Sequence, residues 1–283
     1  MKNGVLRIAA CQFDVGASIV DNARAIRRFM HRAAKAQADV AHFSECALSG
    51  YAGVDFDSFE DYNWDLLKEE TVRIVALAGR LGLWVVLGSM HPLTPPNLPH
   101  NSLYLISPEG RIADRYDKRF GTPGDLDLLT PGDRFVTFTL NGVLCSLLIC
   151  FDLRFPELYR ELYKLGVQCV LQSFYNARQK GPSVHTHIMR QTMQCHAATN
   201  YFWISMTNSS GRYSPYPSCF IQPDGVIAAQ LRPNRPGMMV NAVDLNTQFY
   251  DPMPGFREMA LAGRLTNGPG PLHDPRSRDT TAL

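Results

Sequence analysis

Three side chains suited to acid–base, charge-stabilising and nucleophilic chemistry stand in order along the chain: a carboxylate, Glu45, an ammonium, Lys118, and a thiol, Cys150. Cys150 ends the apolar run Val143-Leu144-Cys145-Ser146-Leu147-Leu148-Ile149 and is followed at once by Phe151-Asp152-Leu153-Arg154-Phe155-Pro156-Glu157. A buried-strand pattern thus carries the thiol to a sharp break, and Pro156 opens the next helix. Near the positive end of a helix a cysteine is expected to lose its proton more readily and to attack as thiolate. Glu45 closes the strand-like Ala41-His42-Phe43-Ser44 and precedes a turn at Ser49-Gly50-Tyr51, and Lys118 lies beyond a strand pair joined by Pro108-Glu109-Gly110. Alone, each has a plainer reading: a core thiol, a loop acid, a solvated cation. Because each follows a strand, loops at one sheet edge are expected to bring the three together.

The elements that must position them alternate. Strand patterns at Val5–Cys11, Ala38–Ser44 and Leu83–Gly88 are separated by helical spacings, one opening at Ser18 with Asp21 and one over Leu66–Leu81. Hairpins are expected at 102–114 about Glu109-Gly110 and at 135–149 about Asn141-Gly142. Helices are expected over Pro156–Leu165 and Val184–Thr199. Strands are expected over Val167–Ser173, Tyr201–Thr207, Ser218–Gln222, Val226–Leu231 and Met238–Asp244. Periodicity alone supports an α/β fold with mixed sheets.

Taken with their flanking residues, the three segments resemble the nitrilase superfamily of carbon–nitrogen hydrolases, amidase-like branch. The family places a Glu before "SGY", a Lys in "Y-R-K" and a Cys in "I-C-Y-D-x-R-F-P-E"; here the last reads Ile149-Cys150-Phe151-Asp152-Leu153-Arg154-Phe155-Pro156-Glu157. The opening strand with Gln12, Pro131-Gly132-Asp133 and Pro223-Asp224-Gly225 extend the likeness over residues 5–245. The resemblance implies a four-layer α-β-β-α sandwich, two mixed β-sheets packed face to face. Residues 1–265 are expected as the carbon–nitrogen hydrolase domain, and 266–283 as a Pro-, Gly- and Arg-rich tail, an arm or irregular end.

The chemistry implied is cleavage of a small linear amide or N-carbamoyl compound through a thioester on Cys150, releasing ammonia. Glu45 shuttles the protons. Lys118 and the backbone N–H of Phe151 stabilise the oxyanion. Neither a metal nor another cofactor is called for. Family members carry a second Glu shortly before the Pro-Gly; counting back from Pro131 gives Asp125, with Asp127 a neighbouring alternative. Two carboxylates sharing one ammonium are expected to keep Glu45 from holding a proton too tightly. The loop Phe174–Lys180 offers Tyr175, Asn176 and Arg178 to an anionic substrate end, or is simply solvated. Arg154 and Glu157 are expected to pair and brace the nucleophile turn. Cys46 adjoins Glu45, whereas His185, His187 and Cys195 read as packing or capping residues and not as metal ligands. The alternatives are a nitrilase attacking a nitrile carbon and a catalytically silent scaffold.

Composition bounds the partners. In 283 residues, 45% hydrophobic and with net charge +2, no Lys/Arg cluster suits nucleic acid. No stretch reaches the ~18 apolar residues of a membrane span. Seven cysteines without paired spacing, after an opening Met1-Lys2-Asn3-Gly4 that carries no leader pattern, suggest a cytoplasmic protein. A homo-oligomer, a dimer or higher, is expected through Pro156–Leu165, whose Leu158, Leu162 and Leu165 lie at helical spacing.

Overall fold

Strand alternation decides the architecture. The computed structural model describes residues 4–178 and 180–281. Met1-Lys2-Asn3, on which the leader reading partly rests, and Gln179 of the loop after Ser173 lie outside the described residues. Strands β1 (Val5–Gln12), β2 (Val40–Phe43) and β3 (Trp84–His91) run parallel. Leu6, Ile8, Val40 and Val86 enter one buried cluster while Ala9, Cys11, Ala41, Phe43, Val85 and Leu87 enter another. Both faces of this sheet are therefore covered, as its nearly continuous apolar runs require. The hairpin of β4 (His100–Ser107) and β5 (Arg111–Asp117) extends it on one side, and β12 (Gly237–Asp244) pairs antiparallel with β1 on the other.

The second sheet repeats that plan. β6 (Thr137–Leu140) pairs antiparallel with β7 (Val143–Ile149), which runs parallel with β8 (Cys169–Ser173) and β9 (Trp203–Thr207). β10 (Cys219–Ile221) and β11 (Ile227–Gln230) then follow antiparallel. Asn141 and Gly142, at φ +50° and +83°, form the tight β6–β7 turn, where both central residues need positive φ.

Helices α1 (Ile19–Lys35) and α2 (Trp64–Leu81) bury Ala23, Ile26, Met30, Ile74 and Ala78 against the first sheet, and Ser18 caps α1 by accepting from the Asp21 N–H. A short turn, α3 (Pro123–Leu126), follows β5. Helices α4 (Pro156–Lys164) and α5 (His185–Asn200) bury Leu158, Leu162, Met193 and Ala197 in the cluster that includes the second sheet. The layers are thus helix, sheet, sheet, helix. Of the α4 stripe expected to seek a partner, Leu158 and Leu162 are consumed by the chain's own core, and only Leu165 is exposed.

The first compact unit ends at Phe249, ahead of the boundary at 265 drawn from composition. In the unit from Tyr250 on, Arg257 pairs with Asp251 at 2.9 Å within the segment carrying α6 (Phe256–Leu261). The expected irregular tail contains one helical turn, α7 (Pro275–Arg278), capped by Asp274.

Candidate active site

The parallel strands β2, β7 and β8 and the hairpin strand β5 deliver four chain segments to one region, as strand ends do in α/β sheets. Glu45 follows β2 and is fully buried. Its turn rests on the backbone of β3: a Cβ at Gly88 would lie 2.1 Å from the Ser44 carbonyl oxygen and 2.7 Å from the Cys46 nitrogen. Only glycine allows that approach. Glu45 Oε1 accepts from Lys118 Nζ at 2.9 Å and Asn101 Nδ2 at 2.7 Å, and Oε2 accepts from the Tyr175 N–H at 2.8 Å. Burial nevertheless raises the proton affinity of this carboxyl above the ordinary range; the Lys118 ammonium opposes the rise and the Asp125 charge adds to it.

Lys118 ends the β4–β5 hairpin and is held by its own backbone, its N–H donating to Asn101 O at 2.8 Å and its carbonyl accepting from Gly132 N at 2.8 Å. That is where Pro131-Gly132 enters the site. Its ammonium reaches Glu45, Asp125 Oδ2 at 2.8 Å and the Tyr51 hydroxyl at 3.3 Å. Burial alone would strip its proton, but the carboxylate of Glu45 and the other acidic neighbours hold it firmly charged.

Asp125 lies in α3, buried, while Asp127 is exposed. Besides Lys118, it accepts from Tyr51 OH at 2.7 Å and from Thr122 N at 2.9 Å. Burial works to protonate it, yet Lys118 and the hydroxyl of Tyr51 keep its carboxyl below its usual range. One expectation is reversed here. Sharing Lys118 with Asp125 makes Glu45 hold a proton more tightly, because the second negative charge offsets part of the ammonium's field.

Cys150 follows β7 with φ +39°, a conformation a non-glycine residue keeps only under constraint. It opens a 3₁₀ turn, Cys150–Arg154, so α4 begins beyond it and the thiol does not sit at that helix's end. Burial and the nearby Glu45 charge push the thiol's proton affinity up, against Lys118 and the Tyr175 N–H, so the expected preformed thiolate gives way to a resting thiol. Asn176 Nδ2 donates towards its sulfur at 3.4 Å.

The turn is braced by Asp152, which sequence reasoning passed over although it stands inside the motif. Its buried carboxylate accepts from Ile149 N at 2.9 Å, Tyr116 OH at 2.8 Å and Phe120 N at 3.0 Å. The expected Arg154–Glu157 pair does not form: among the described residues no ion pair joins them, and both side chains are exposed.

The pocket over Cys150, about 380 Å³, is lined by Tyr51, Asp125, Phe151, Arg154, Tyr175 and Asn176 among others. Arg178 also lines it, but its guanidinium is engaged by Asp55 at 2.9 Å and the Val15 carbonyl at 2.9 Å. The same Asp55 oxygen accepts from Tyr175 OH at 2.9 Å, and Asp55 Oδ2 accepts from Tyr51 N at 3.0 Å. Asp55 therefore ties the two loops whose rings, Tyr51 and Tyr175, lie 5.0 Å apart. Of the three loop residues expected to hold substrate, Tyr175 and Asn176 face Glu45 and Cys150, whereas Arg178 is occupied in holding the rim. The cation left unpaired among the described lining residues is Arg154. No group of three or more His, Cys, Asp and Glu among the described residues is arranged to hold a metal ion. No described helix is long and apolar enough to cross a membrane.

A thiol lines this pocket, and behind it a buried carboxylate of raised proton affinity is joined through a fixed ammonium to the lining residue Asp125. Residues 7–248 match the family model for carbon-nitrogen hydrolases, and the chain belongs to that family. An (R)-stereoselective amidase from Pseudomonas sp is 37% identical over 112 residues, 40% of this chain and 39% of its own. The omega-amidase of Homo sapiens is 26% identical over 174 residues, 58% of this chain and 62% of its own. The chain thus spans under two thirds of the length of these curated relatives. A crystal structure of an amidase from Nesterenkonia shares the fold, with TM-score 0.76 and 21% identity over 94% of this chain and 98% of that one. A mutant of that amidase carries the acetamide moiety of fluoroacetamide on its active-site cysteine (TM-score 0.74, 22% identity, 87% and 92% covered).

Proposed function

We propose that this hydrolase is an amidase, cleaving the C–N bond of a small linear amide or N-carbamoyl compound through a thioester on Cys150 and releasing ammonia. The observation that carries the reading is the Lys118 ammonium, bound to both Glu45 and Asp125 beside the Cys150 pocket. The acetamide moiety carried on the cysteine of the Nesterenkonia amidase mutant, an alkyl adduct that marks a reactive sulfur, and the butyramide complex of another mutant support a pocket that takes a small amide.

In the reading, Cys150 Sγ attacks the amide carbon while its proton passes to Glu45. Burial raises the proton affinity of Glu45, which makes it a stronger base for that transfer than an ordinary carboxylate. The carbonyl oxygen takes up negative charge against Lys118 and the Phe151 N–H. Asp125 accepts from the substrate amide N–H and fixes the carbonyl over the sulfur. As the C–N bond breaks, Glu45 gives its proton to the leaving nitrogen, and ammonia departs. Water then enters, Glu45 takes its proton, the hydroxyl adds to the thioester carbon, and the thiolate leaves and recovers that proton. Tyr175 and Asn176 bound the acyl group, and Arg178 shapes the rim.

All seven thiols are free, which fits a reducing, cytoplasmic setting. A dimer through α4 would have Leu165 as its exposed apolar contact, and light scattering that gives one chain mass at every concentration removes it. Ammonia release from matched amides and nitriles tests the main reading. Release from amides with nitriles inert supports it; release from nitriles alone makes the chain a nitrilase, and no release from any panel member leaves a silent scaffold.

A further inference from the structure

The two halves of the site hang from different sheets: Glu45 and Lys118 follow β2 and β5 of the first, Cys150 and Tyr175 follow β7 and β8 of the second. Their separation is therefore set by how the sheets are held together. Between them, in an otherwise largely apolar layer, lies a polar knot centred on His42. His42 is fully buried in β2, three residues before Glu45, where the alternation of Val40 turns it towards the second sheet. Its Nε2 is 3.0 Å from Ser173 Oγ at the end of β8, and its Nδ1 is 2.9 Å from both Ser205 Oγ and Thr207 Oγ1 of β9. Ser173 Oγ donates to the Phe43 carbonyl at 2.8 Å, so the imidazole Nε2 carries the hydrogen and Nδ1 accepts. Two more bridges continue from this knot into the site, Glu45 N to Phe174 O at 3.3 Å and Tyr175 N to Glu45 Oε2 at 2.8 Å.

An apolar residue at this position would leave the Ser205 and Thr207 hydroxyls without the imidazole as partner, and buried polar groups in a sheet interface are costly unless paired. We infer that His42 is a positioning residue, clamping β2 to β8 and β9 so that the Glu45 carboxylate stays against the Tyr175 N–H and within reach of the Cys150 thiol. It touches no substrate. The inference rests on the proposed proton transfer from Cys150 to Glu45.

The test compares His42→Leu, Ser173→Ala and His42→Gln, whose amide can again donate to Ser173. The readouts are kcat and KM for a hydrolysed amide and the pH dependence of Cys150 alkylation by iodoacetamide. Loss of the clamp is expected to lower kcat by about tenfold or more with KM within about twofold, since ~1 Å of misplacement can cost on the order of 10²-fold. The alkylation profile should shift in His42→Leu and Ser173→Ala and return towards wild type in His42→Gln. Ser173→Ala decides the matter if His42→Leu does not fold. Variants that melt earlier but keep kcat and the alkylation profile overturn the inference, leaving His42 as packing alone. If wild type hydrolyses no amide, the functional reading fails separately, and the alkylation profile still reports whether His42 governs the Cys150–Glu45 pair.

Discussion

Asp125 Oδ2 accepts from Lys118 Nζ at 2.8 Å, so the ammonium that serves Glu45 also serves a second buried carboxylate. Asp127, two residues on, is exposed and takes no part. The choice between the two acids, open in the sequence, is made by α3: Thr122 caps it, accepting from the Asp125 N–H while Asp125 accepts in return, which turns Asp125 inwards.

Asp125→Asn should therefore lower kcat/KM by on the order of 10²-fold through lost alignment, and Asp127→Asn should leave it near wild type. It should also move the acid limb of the pH profile. Glu45 must be ionised to accept the thiol proton, and its proton affinity is raised, so wild-type activity should fail on acidification above the ordinary carboxylate range. Removing the Asp125 charge lowers that affinity, and the limb should shift to lower pH. Steady-state profiles with a small amide measure both effects.

Asp152 holds three donors from three segments. Asp152→Ala orphans the Ile149 and Phe120 N–H groups and the Tyr116 hydroxyl, and should cost ~2–5 kcal/mol in denaturant unfolding. Glu157→Ala, which breaks no ion pair, should stay within about 0.5 kcal/mol.

His42 gives stability a pH dependence of known sign. Burial lowers its pKa to about 3, from an ordinary 6.5. Below 6.5 the unfolded chain takes a proton that the folded chain refuses, so stability is full above that value and falls as pH drops towards 3. At about 1.4 kcal/mol per unit, His42→Gln should lose roughly 3 kcal/mol less than wild type between pH 7 and 4 in unfolding measurements.

What was legible in the sequence was whatever a local pattern dictates. Asn141-Gly142 specified a turn, Ser18 a cap, and the apolar run Val143–Ile149 the strand that ends at Cys150. What was not legible depends on neighbours far along the chain. Asn101 has no motif of its own, yet donates to Glu45 from β4, two strands over from β2 in the sheet. His42 reads as one polar residue in a strand until Ser173, Ser205 and Thr207 are brought around it. The Arg154–Glu157 pairing followed from spacing alone, whereas Arg154 ends the 3₁₀ turn, Glu157 lies in α4, and both side chains are in solvent. The thiol's protonation differs from the local reading for a related reason, since burial and the Glu45 charge, neither visible in a local string, raise its proton affinity.

The central claim is a covalent acyl group on Cys150, and intact-mass spectrometry of the protein mixed with a hydrolysed amide tests it most directly. The account predicts a mass increase equal to the acyl group, mapped to the Cys150 peptide, reversed by hydroxylamine and absent from a folded, inactive Cys150→Ala variant. Turnover by that variant within about tenfold of wild type, or an acyl group on another residue, would contradict it.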